Sequence, residues 1–138
     1  MTEPDSPDGP LAPDLAMMEE MMHAAFASLP PEVRGACADL ALRVEDFPAE
    51  DIVEEMELES AWDLTGLYQG VPLTEKSTWD APMAPDTVWL FRRPILDEWI
   101  ERGDVGLAAL VTHVLVHEIA HHLGWSDDDI RRVDDWTL

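Results

Sequence analysis

The sequence predicts an α+β fold, a short few-stranded sheet packed against helices. Three observations predict it. Apolar residues at helical spacing recur in long segments, whereas branched and aromatic strand-like runs are short. Those runs number three, too few to close a barrel. The chain has 138 residues, 46% of them apolar, which suffices for one core without disulfide staples. Its single cysteine, Cys37 in "VRGACADLAL", excludes an internal disulfide and reads as a small core residue.

Each element has its own signals. Residues 1–13 carry Pro4, Pro7, Pro10 and Pro13 among acidic residues, the composition of a disordered tail; 14–138 read as one domain. Asp14 is placed to cap a helix, "LAMMEEMMHAAFASL", with apolar residues at 15, 18, 21, 22, 25, 26 and 29. Its methionines read as adaptable core packing. Pro30 and Pro31 end it, and Pro31 suits the first turn of a short helix over 31–38. "LALRVEDF", 40–47, alternates loosely as a first strand, and 49–57 reads as a short acidic helix. "TGLYQGVPL", 65–73, is the second strand, running into a loop rich in turn formers that ends at Asp86. "TVWLFRRP", 87–94, is the clearest strand. Pro94 then starts a helix that Gly103 ends, and Asp104 is expected to cap the next, over 105–123, which Gly124 stops. That helix is apolar from 105 to 120 and is expected to be the central core helix. Ser126 and Asp129 form a capping box for a terminal helix.

Charge excludes some functions. Thirty acidic residues against eight basic ones leave −22, which repels nucleic-acid phosphates and anionic membranes and draws in basic peptides or proteins. No apolar run is long enough to span a membrane. The N-terminal residues lack the pattern of a secretory signal. With one cysteine, a cytoplasmic setting is expected. No oligomeric state is read from the sequence.

The chemistry concentrates in "LVHEIAHHLGWSDDD", 115–129. His117 and His121 are four apart, so on a helix both imidazoles lie on one face and can bind one Zn²⁺. Glu118 stands beside them without needing to bind, placed to take a proton from a metal-activated water. This is the H-E-x-x-H pattern of a zinc hydrolase. Gly124 permits a sharp turn, and Asp127 follows six residues after His121, completing H-E-x-x-H-x-x-G-x-x-D. Asp128 and Asp129 compete as third ligand; spacing favours Asp127, since the helix cap claims Asp129. Two histidines and a carboxylate leave a fourth position open, the layout of a catalytic rather than a closed site. His113, one turn before His117, is a further ligand candidate but is expected to pack in the core. His122 is expected at the surface or supporting the ligands, and His23 has no assigned role.

The sequence resembles the small bacterial zincin-like metallopeptidases, the minimal zincins. "SLPPEV" at 28–33, "GLYQGVPLTE" at 66–75, "DTVWLFRRPI" at 86–95 and "VLVHEIAHHLGWSDDDI" at 114–130 carry the resemblance, which spans about 15–135. It implies a compact zincin-like domain with the active-site helix near the C-terminus. By the same resemblance one Zn²⁺ per chain is held by His117, His121 and Asp127, with Glu118 as general base. No methionine follows Met83, so a metzincin-type Met-turn is not expected.

The main functional expectation is zinc-dependent hydrolysis of peptide bonds. The strand over 87–92 is expected to lie at a sheet edge and pair with an extended peptide. The loop 71–86, with Trp79, reads either as a cleft wall or as a plain connector. Tyr68 is a candidate oxyanion donor or a packing residue; Arg92 and Arg93 either pair with carboxylates or contact substrate. The alternative is a metal-binding acidic interaction module with little or no protease activity. A third is an acidic nucleic-acid mimic that blocks a DNA-binding protein.

Overall fold

The structure, a computed structural model, describes residues 13–70 and 86–125. Among them five helices and a three-stranded mixed sheet form an α+β unit, as the sequence predicts. Helix α1 spans Leu15–Ala27, α2 Pro31–Ala36, and strand β1 Ala41–Glu45. Helix α3, Glu50–Glu55, and a 3-10 turn at Ala61–Asp63 lead to β2, Gly66–Gln69. After the loop come β3, Thr87–Phe91, then α4, Arg92–Arg102, and α5, Leu107–Leu123. The expected tail up to residue 12, the loop 71–85 and the terminal helix with its Ser126–Asp129 capping box lie outside the described residues.

Local chemistry accounts for most boundaries. An Asp14 carboxylate oxygen accepts the Met17 N–H at 2.9 Å, the expected cap of α1. Pro31 occupies the first turn of α2. Two helix starts differ from expectation. Helix α4 begins at Arg92, not Pro94; the proline lies within its first turn, where its missing N–H leaves no bond unmade. Arg92 is held there by Asp46, Nε to Oδ1 at 2.6 Å, and by the Pro13 carbonyl at 2.9 Å. Helix α5 begins at Leu107 behind Gly106, and Asp104 does not cap it. Gly103, left-handed at φ 74°, closes α4 onto the Trp99 carbonyl, and Asp104 to Gly106 are spent on the turn.

The sheet order is β1-β3-β2, with β1 parallel and β2 antiparallel to β3. The expectation that residues 87–92 form a substrate-pairing edge is therefore overturned: β3 is the central strand. Its composition explains why. Val88 and Leu90 are fully buried on one face and Phe91 is nearly so on the other, and a strand apolar on both faces belongs inside a sheet. Among the described residues the edges are β1 and β2.

One face of the sheet carries the core. Val44, Val88 and Leu90 meet Met18 and Met22 of α1 and Leu110, Val111, Val114 and Leu115 of α5 in one cluster. Met18 and Met22 are wholly buried, consistent with packing methionines, whereas Met17 is exposed. Helix α5 packs on α1, β2 and β3, the central place its composition predicts. Cys37 is buried, and burial pushes its thiol up to about 11, which leaves it inert near neutrality. The other face bears a groove of about 370 Å³ lined by Phe47, Ile52, Leu67 and Trp89, among others. Among the described residues, no helix is long and apolar enough to cross a membrane.

Candidate metal centre

Helix α5 owes its rigidity to the core, with nine of its residues buried. Its remaining face carries the polar groups. His117 and His121 lie one turn apart with ring planes 15° from parallel and centroids 6.3 Å apart. His117 is half-buried and His121 exposed, so the pair opens toward solvent. His113 stands edge-on to His117, centroids 5.6 Å apart; it is half-buried rather than deep in the core.

Glu118 is half-buried between this face and the sheet, and burial pushes its carboxyl from 4.5 up to about 7. The close approach that buries it depends on Gly66. A Cβ at Gly66 would stand 2.7 Å from Val114 Cγ1 and 3.1 Å from Glu118 Cγ, so only glycine lets β2 lie this near α5. Sequence reasoning missed Gly66. The signal was available in the strand period of two, which puts residue 66 on the same face as Tyr68.

Tyr68 meets His122, with ring centroids 5.5 Å apart. Its hydroxyl donates to Asp86 Oδ2 at 2.9 Å and lies 3.1 Å from His122 Nδ1. These contacts favour the packing reading of Tyr68 over an oxyanion donor. Burial, then the hydrogen bond to Asp86, raises its phenol well above the usual range. His122 is buried, not at the surface. Asp86 was read from sequence only as a loop end. Arg92 pairs with Asp46, as the carboxylate reading expects, and Arg93 lies over the Phe47 ring at 6.0 Å. His23 is exposed.

At its C-terminus α5 ends in Gly124, left-handed at φ 74°, with the Trp125 N–H reaching back to the Ala120 carbonyl at 3.0 Å. The chain thus turns off the helix at the glycine of the motif. Asp127 lies outside the described residues, and among those described no three histidine, cysteine or acidic side chains are grouped to hold a metal. The donors that are described fit zinc in kind: two imidazoles one turn apart with near-parallel rings, followed in the case of His117 by a half-buried carboxyl.

The structure is thus a small α+β scaffold with a histidine pair four residues apart on its core helix and a half-buried glutamate next to the first. A family model described as zincin-like metallopeptidase matches residues 37–137, and the chain belongs to that family. No curated protein matches the chain.

Proposed function

We propose that this protein is a zinc-dependent metallopeptidase, with His117, His121 and Asp127 holding one Zn²⁺ and Glu118 as general base. Zinc at this position supplies Lewis-acid polarisation of a scissile carbonyl and makes a water acidic enough to deprotonate near neutrality. Glu118 takes the water's proton and returns it to the leaving amine. A carboxyl raised to about 7 by burial is a base poised near neutrality. Strand β2 takes the peptide-pairing role first expected of β3. It packs on α5 through Gly66, and among the described residues no strand pairs with its other side. Negative charge selects basic segments in an extended peptide, and a cytoplasmic setting fits the lone buried cysteine.

The observation that carries the reading is Glu118, half-buried beside the near-parallel His117 and His121 rings. The test compares wild type with Glu118→Gln for zinc content and for cleavage of an unfolded, lysine-rich protein substrate. Equal zinc in both, with cleavage reduced about 10²–10⁴-fold in the variant, is expected. Zinc-loaded wild type that cleaves no better than the variant overturns the peptidase reading and favours the acidic interaction module.

A further inference from the structure

The segment Leu67-Tyr68-Gln69-Gly70 is a distinctive motif that no part of the metal chemistry uses. Its structure gives it a purpose. Tyr68, Asp86 and His122 form a closed triangle of polar groups: hydroxyl to Oδ2 2.9 Å, hydroxyl to Nδ1 3.1 Å, Nδ1 to Oδ2 3.3 Å. The histidine and aspartate side chains are only 5% and 11% exposed. Gly70 makes room for it. At φ +152° it adopts a backbone few other residues tolerate, and a Cβ there would stand 2.4 Å from the Asp86 carboxylate. The Asp86 carbonyl also accepts the Ala41 N–H at 2.8 Å. One residue thus joins the start of β1, the end of β2 and the last turn of α5.

Packing alone does not call for such a cluster. Three polar groups desolvated together stabilise no better than apolar residues of the same volume unless their geometry is needed. What distinguishes this place is its neighbourhood. His122 follows His121 directly, and Gly124, where the chain leaves α5 toward Asp127, is two residues on.

We propose that Tyr68, Asp86 and His122 are positioning residues of the metal centre: they pin the last turn of α5 to the sheet and so preset His121 and the turn at Gly124. The inference rests on the zinc reading above. Groups that orient metal ligands from behind typically contribute about 10–100-fold in metal affinity, and this triangle acts on the backbone that carries the ligands.

The test measures zinc affinity by competition with a chromophoric chelator, on the full chain, well below each variant's melting temperature. Tyr68→Phe deletes one hydroxyl and keeps the ring; Asp86→Asn keeps the size and removes the charge. Each is expected to weaken zinc about 10–100-fold, with the double variant little worse than the weaker single, since the groups act as a unit. Gln69→Ala, next to Tyr68 on β2, loses only the 2.8 Å bond from Trp89 Nε1 of β3 and keeps wild-type affinity. A purely structural role lowers the melting temperature and leaves the folded protein's zinc affinity intact. Folded Tyr68→Phe with affinity within about twofold of wild type overturns the proposal; should Asp86→Asn not fold, Tyr68→Phe decides. Wild type that takes up no zinc instead removes the metal reading itself, a result distinct from unchanged affinity in the variants.

Discussion

Glu118 shows how much a single residue's chemistry depends on what is laid against it. Its place between two histidines was legible, because a period of 3.6 residues fixes which side chains share a face. Its altered acidity was not, because that comes from β2, about 50 residues earlier in the chain and brought close by Gly66. The altered acidity has a consequence for the metal-free protein. Unfolded, the carboxyl ionises near 4.5; folded, near 7. Folding therefore favours the protonated form, and Glu118 costs nothing at a pH below about 4.5. The cost grows as pH rises from there to about 7 and is constant above. The full difference corresponds to about 3 kcal/mol, and partial exposure reduces this to roughly 1–2 kcal/mol. Glu118→Gln should then match wild type in chelator-treated denaturation near pH 4.5 and exceed it by about that amount at pH 8. Equal stability at both pH values would show that the carboxyl is solvated when folded.

At the scale of elements, two glycines make opposite predictions for the same substitution. Gly35 lies in α2 with nothing within 4 Å of where a Cβ would stand, so Gly35→Ala should stabilise by about 0.5–1 kcal/mol through helix propensity. Gly66→Ala forces β2 off α5 and should cost about 1–3 kcal/mol. It should also reduce turnover, because after Val114 the next group it crowds is Glu118 itself. Urea denaturation of both variants checks the signs; a neutral Gly66→Ala would mean that β2 can retreat without strain. The same elements show where sequence reading succeeds and stops. Caps and breakers are local, so Asp14, Pro31, Gly103 and Gly124 marked their boundaries correctly. Strand order is not local. The run around Val88 and Leu90 was recognised as a strand from its residues, but its central position depends on β1 and β2 arriving on both sides. The apolar content of both its faces was the clue that argued against an edge. The Tyr68–Asp86–His122 triangle is less legible still, since it joins positions 18 and 54 residues apart.

For the whole molecule the governing quantity is charge. A surplus of 22 negative charges sits on a body that offers few partners for it. Arg92 and Arg102 are already engaged, with Asp46 at 2.6 Å and Glu98 at 2.9 Å. The remaining carboxylates repel one another, and the compact state concentrates that repulsion more than the unfolded chain does. Salt should relieve it. At about 10 mM ionic strength the screening length, roughly 30 Å, is comparable to the diameter of a compact chain of this length; at about 150 mM it is roughly 8 Å, a small fraction of it. The metal-free melting temperature at pH 8 should therefore climb by roughly 3–8 °C between those conditions, equivalent to about 1–2 kcal/mol. Two chemically different salts at equal ionic strength should give the same rise, since screening is blind to ion identity. The rise should shrink as pH falls toward the carboxylate range and the surplus is neutralised. A melting temperature that stays flat or falls with salt would mean that attractive surface pairs outweigh the net repulsion.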